Sequence, residues 1–149
     1  MSDPDVSDLL SVDRAIEIID QQPVAPRMID RALSDAIGLV LAQDLRADRD
    51  FPPFDKSQMD GFAVQAGDIS IVPKQLRILE TIAAGTTGKS EVRPGTASAI
   101  MTGAPVPLGA DAVVPVEESS TAGDVVTIRQ SDKSGDRISP RGSDCRAGD

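Results

Sequence analysis

Two stretches of this chain hold residue types whose spacing could do chemistry. Residues 51–64 read FPPFDKSQMDGFAV and set Asp55, Lys56, Ser57 and Asp60 behind a Pro-Pro pair. Pro52 and Pro53 fix backbone φ, so the polar groups after them are presented with little entropy left to lose. Asp60 is the carboxylate of most interest. As an anion it cannot bind another anion directly; an intervening divalent cation or a proton has to relieve the repulsion. The bland alternative is an ordinary turn, because Asp-Gly is among the commonest turn pairs.

The second stretch, IMTGAPVPLGAD at residues 100–111, runs an apolar strand end into Thr-Gly and a stiff Pro-x-Pro arm. Thr102 brings a hydroxyl, and Gly103 lets backbone N–H groups approach a ligand closely. A nest of such donors suits a tetrahedral oxoanion. The competing reading is an inter-strand crossover whose threonine satisfies its own backbone.

Composition narrows the chemistry further. The 149 residues carry 15 Lys and Arg against 24 Asp and Glu, a formal net charge of −9. That balance disfavours nucleic acid and anionic membrane surfaces as partners. Cys145 is the sole cysteine, so an intrachain disulfide and a cysteine-built zinc site are excluded. Histidine is absent, which removes Ser-His and Cys-His nucleophile pairs within the chain. Any metal should be a hard cation held by oxygens. No apolar run nears membrane-spanning length, and the acidic start MSDPDVSDLL has the wrong sign for a secretory leader. A cytoplasmic protein is the expectation.

The elements that must position these residues follow from periodicity. In SVDRAIEIIDQQP, Val12, Ala15, Ile16 and Ile19 fall on one helix face, with Ser11 as cap, Asp13 in the first turn and Pro23 as terminator. VAPRMIDRAL should be extended, because Pro26 biases its predecessor away from helix. SDAIGLVLAQDL, with Leu33, Ala36, Ile37, Val40 and Leu41 at helical spacing, predicts a second helix weakened by Gly38. From residue 46 the texture becomes short β-type runs: LRILETIAAG, TASAIMTG, DAVVPVEES and DVVTIRQ. SSTAGD should join the last two as a hairpin, with Gly123 at positive φ. Pro115 implies an edge strand or a bulge. Phe51, Phe54 and Phe62, the chain's three aromatics, are expected to anchor the Asp60 loop on the β core. The fold class is mainly β with an N-terminal helix (α+β).

PPFDKSQMDGFAV resembles the signature P-x-F-D-N-S-x-M-D-G-Y-A-V of the MoeA family, the molybdopterin molybdenumtransferases, shared by the gephyrin E domain. IMTGAPVPLGADAVVPVEE is similar to that family's I-M-T-G-A-P-V-P-x-G-A-D-A-V-V. The resemblance implies a small β domain (46–136) carried on an extended linker domain (26–45 and 137–149), with the helix of residues 1–25 packing on a pterin-binding domain beyond this chain. It implies the last step of molybdenum cofactor synthesis, in which adenylylated molybdopterin is cleaved and molybdate inserted with Mg²⁺ taking part. The family's catalytic positions fall on Asp60 and Thr102. Ser57, Gly103 and Arg141 would bind substrate or oxoanion, and Asp60 would hold the metal.

Three departures from the family pattern stand out. Lys56 replaces the motif Asn, Phe62 the motif Tyr, and Ser139 an expected Arg, so that Arg137 or Arg141 would have to supply its charge. Family chains are longer, with an active site shared across a homodimer and a molybdopterin adenylyltransferase acting upstream. The 149-residue chain alone is therefore expected to be inactive in molybdenum insertion. The alternative from another functional class is a non-catalytic dimerisation or scaffold module of the same fold.

Overall fold

The computed structural model describes residues 10–22 and 26–149, divided between a unit running up to Asp44 and a unit running from Leu45 to Asp149. In the first unit, α1 (Val12–Asp20) forms where the apolar spacing places it, and Ser11 accepts the Arg14 N–H at 3.2 Å as its cap. None of its residues is buried. Pro23, expected to end the helix, lies outside the described residues, and Gln21 is the C-cap. Residues 26–32 have no regular secondary structure.

The second predicted helix is absent. A single 3₁₀ turn, Leu33–Asp35, takes its place, and Gly38 adopts a left-handed φ of 85° that ends any helical continuation. The physical reason is local as well as tertiary: α1, equally unburied, is capped by Ser11, whereas this segment has no side-chain cap at Ala32 and is interrupted by Gly38. Leu33, Ile37 and Val40 are each more than 90% exposed, and a short helix gains its stability mainly from burying an apolar face.

The second unit is built on a six-stranded sheet. Its strands are β2 (Gly61–Val64), β3 (Lys74–Ile82), β4 (Thr96–Ile100), β5 (Ala112–Pro115), β6 (Ser119–Ala122) and β7 (Val125–Ile128), in spatial order β5-β2-β4-β3-β7-β6. Only β3 and β4 run parallel. A separate two-stranded pair joins β1 (Lys56–Ser57) to β8 (Ile138–Ser139), which places residues 137–149 in the same unit as the sheet. No described helix is long and apolar enough to cross a membrane.

Strand alternation sorts the apolar side chains onto two faces. Phe62, Val64, Leu76, Ala97, Val114 and Ile128 share one core, closed over by Ile69. Ala63, Ile82, Ile100 and Val113 share the other, packed against Ala104. Both faces of β2 are therefore covered, and all four of its residues are buried. Pro115 closes β5, an edge strand, as a missing ladder donor requires.

Two expectations need correcting. The hairpin does not connect the β5 and β7 runs through SSTAGD. Ser119–Ala122 is itself the strand β6, and the turn is the two-residue Gly123-Asp124 pair with Gly123 at φ 62°. Nor do the three phenylalanines anchor the loop together. Phe62 is buried, but Phe51 and Phe54 are 54% and 40% exposed. Phe51 holds the chain through its backbone, donating to the Cys145 carbonyl and accepting from Asp144 and Cys145.

Gly61 opens β2 rather than forming a turn. A Cβ built there would collide with the Val114 carbonyl of the neighbouring strand. Gly61→Ala should accordingly lower stability by roughly 1–3 kcal/mol through forced separation of β2 and β5. Urea unfolding with an unchanged m-value measures it, and a loss below about 0.5 kcal/mol would contradict the close approach.

Candidate functional site

Asp60 precedes β2 and Thr102 follows β4, and the antiparallel register Gly61↔Ile100 brings these two strand ends side by side. One carboxylate oxygen takes both donors of Thr102. The Thr102 N–H reaches Asp60 Oδ1 at 2.7 Å and the hydroxyl reaches the same oxygen at 2.8 Å. These two bonds, the N–H first and the hydroxyl second, hold the Asp60 carboxyl below its ordinary range, against a smaller opposing effect of burial. Asp60 Oδ2 has no hydrogen-bond partner among the described residues. Both residues are exposed.

The loop ahead of Asp60 is knitted to the Thr102 turn by main chain. Ser57 N–H donates to the Ala104 carbonyl at 2.9 Å, and Gly103 N–H donates to the Ser57 carbonyl at 2.8 Å. The Ser57 side chain is almost fully buried, and its hydroxyl donates to the Met59 carbonyl at 2.6 Å. Gly103 sits at φ 80°, the left-handed region that glycine takes without strain. Ser57 and Gly103 are thus placed beside Asp60 and Thr102, with their donors spent on holding the loop.

The structure does not bring Arg141 to this group. Its Nε donates to Asp50 Oδ2 at 2.6 Å and its backbone N–H to Asp55 Oδ1 at 2.7 Å. The Asp50 carboxyl is lowered by the Ala147 N–H and then by Arg141. Arg137 is engaged elsewhere too, with Asp132 and Glu118.

A cavity of about 280 Å³ opens beside Asp60, walled by Phe62, Thr81, Ala99, Met101 and Val116. A second, of about 430 Å³, shares Phe62, Thr81 and Ala99 and extends to Glu80 and Asp124. No basic side chain lines either cavity. Sequence reading did not find Thr81 or Val116. Thr81 reaches the groove because the register slips between Ile78 and Thr81. Val116 contributes its backbone N–H to the Asp60 carbonyl at 3.1 Å, for which no side-chain pattern exists.

Chemically, the donors of Thr102 are consumed by Asp60. What the pair offers outward is acceptors: Asp60 Oδ2 and the remaining hydroxyl lone pairs. An acceptor-only, anionic site suits a hard cation and repels a bare oxoanion. Among the described residues no group of three or more carboxylate, cysteine or histidine ligands could enclose a metal. A cation held here would have Asp60 as its one charged ligand and would have to keep most of its water, as Mg²⁺ can.

Residues 10–149 match the family described as the MoeA N-terminal region (domain I and II). The chain is 42% identical over 142 residues to a molybdopterin molybdenumtransferase 2 of Mycobacterium tuberculosis, covering 93% of this chain and 35% of that protein. It is 38% identical over 144 residues to a molybdopterin molybdenumtransferase of Staphylococcus epidermidis, covering 94% and 34%. A crystal structure of a molybdopterin biosynthesis moeA protein from Pyrococcus horikoshii OT3 superposes with a TM-score of 0.75 at 34% identity, over 78% of this chain and 32% of the other. The chain thus spans about a third of the length of the curated relatives it matches.

Asp60, with its lowered folded value, contributes stability that is present above its unfolded value and lost as pH falls through the folded one. Thr102→Val removes the hydroxyl bond and keeps the N–H bond, so the Asp60 midpoint should rise only part of the way to the ordinary range. Carboxyl ¹³C NMR titration reads it. An unmoved midpoint would mean that the hydroxyl does not bond the carboxylate.

Proposed function

The chain belongs to the MoeA family through its N-terminal region, and from that premise we propose that the protein acts in molybdenum cofactor biosynthesis, inserting molybdate into adenylylated molybdopterin with Asp60 and Thr102 at the reacting centre. The observation that carries this reading is the pair of Thr102 donors on Asp60 Oδ1, which leaves Oδ2 without a hydrogen-bond partner among the described residues and holds the carboxyl below its ordinary range.

Asp60 Oδ2 and the Thr102 hydroxyl oxygen would hold a hydrated Mg²⁺. Bound there, the cation supplies positive charge that draws a phosphate or molybdate oxygen to an otherwise anionic face. Thr102 fixes the carboxylate's orientation through two bonds, so Asp60 presents one oxygen in one direction. Phe62, Ala99, Met101 and Val116 would offer an apolar wall to a substrate bound beside Asp60.

Because the cavities have no basic lining, the anionic substrate needs further positive charge from outside this unit. A second copy of the chain in a homodimer, with a counterpart of the two thirds by which its relatives exceed it, would provide it together with the pterin pocket. The adenylylated substrate would come from a molybdopterin adenylyltransferase.

Asp60→Asn in the full-length protein should cut molybdenum insertion by at least about 100-fold with only a small fall in Tm, since the amide oxygen can still accept from Thr102 and only the contribution of the charge is lost. Thr102→Ala should be milder, because it removes one of the two bonds that orient the carboxylate and leaves its charge in place. Cofactor formation from adenylylated molybdopterin and molybdate, read beside a melting curve, decides the matter. Full activity with a lowered Tm would reduce Asp60 to a residue that only shapes its loop.

A further inference from the structure

The loop bearing Asp60 is gripped from two sides by main chain. Gln58 N–H donates to the Arg137 carbonyl at 3.0 Å, and Val116 N–H donates to the Asp60 carbonyl at 3.1 Å. The two grips belong to separate segments: residues 116–118, between β5 and β6, and residue 137, just ahead of β8. The side chain of Arg137 ties those segments together. Its Nη1 donates to Asp132 Oδ1 at 2.6 Å and its Nη2 to Glu118 Oε1 at 3.4 Å. Glu118 lies two residues beyond Val116.

Two features make this arginine more than a surface ion pair. The Asp132 side chain is only 5% exposed and that of Arg137 25%, so solvent screens the contact weakly. Arg137 also holds a left-handed backbone, φ 56°, which a non-glycine residue keeps only where its surroundings impose it. Two carboxylates face this one guanidinium, and Glu118 Oε2 and Asp132 Oδ2 are buried with no partner among the described residues. Without Arg137 the two acids would repel, and the Glu118 segment would carry Val116 away from Asp60.

We propose that Arg137 is a positioning residue for Asp60, acting through its own carbonyl and through the Glu118–Val116 segment rather than by binding an anion. The inference rests on the reading of Asp60 as the working carboxylate.

NMR on the chain labelled with ¹³C and ¹⁵N tests it. In Arg137→Met the amide protons of Thr102 and Val116 should both move upfield, because the carboxylate no longer meets both Thr102 donors and Val116 no longer meets the Asp60 carbonyl. Arg137→Lys retains the charge but not the fork that reaches two acids, and should give an intermediate shift. A role confined to the loop around Asp132 would lower Tm and leave both signals in place, which would overturn the proposal. Should Arg137→Met fail to fold, Glu118→Gln decides: it weakens only the 3.4 Å contact and should move both signals the same way by less. No movement in any folded variant would sink the idea. Molybdenum insertion is not read, so unmoved Thr102 and Val116 amides count against the clamp alone, whereas an active Asp60→Asn enzyme counts against the functional reading.

Discussion

One carboxylate oxygen accepting two hydrogen bonds from one threonine governs the character of this site. Asp60 Oδ1 takes both Thr102 donors at 2.7 and 2.8 Å, and that pairing inverts the polarity that the residues have separately. Taken alone, Thr102 and Gly103 look like a cradle of donors for an anion. Once a carboxylate is within reach, a charge-assisted bond to it outcompetes a weaker partner. The outward surface becomes a set of acceptors with a negative charge, and an anionic substrate can approach only through a cation or through positive groups from elsewhere.

That pairing depends in turn on strand register. β2 lies between β4 and β5, covered on both faces, and its side chains pack so closely that Gly61 has no room for a Cβ beside the Val114 carbonyl. A one-residue slip would turn every β2 side chain to the opposite face and carry Asp60 off the Thr102 turn. The site is therefore carried by the sheet's interior rather than by a free loop. The surrounding main-chain bonds from Ser57, Gly103, Val116 and Arg137 lock the remaining freedom of the approach.

Where the local signals were complete, the structure was legible in the residues. α1 carries a cap, an acidic first turn and an apolar stripe, and it forms where those predict. The β texture after residue 46, the edge position of Pro115 and the positive φ of Gly123 were likewise readable from turn and strand chemistry. Leu33 to Leu41 had helical spacing, but spacing alone supplies no surface to bury it, and Gly38 takes a left-handed conformation instead. Asp60 and Thr102 were each visible as candidates, but their direct bond was not. They are 42 residues apart, and no short-range pattern states which strand ends meet. The engagement of Arg141 with Asp50, 91 residues away, is invisible for the same reason.

On the proposed reading, this face accepts a hydrated cation first and an oxoanion only afterwards. Manganese titration of the ¹⁵N-labelled chain tests it, because the paramagnetic ion broadens signals near wherever it binds. The account predicts that Mn²⁺ broadens the amides of Asp60, Gly61, Met101 and Thr102 before others, that Asp60→Asn abolishes the effect, and that molybdate shifts the Thr102 amide only when a divalent cation is present. Shifts of the Thr102 and Gly103 amides by molybdate in the presence of excess chelator would contradict it.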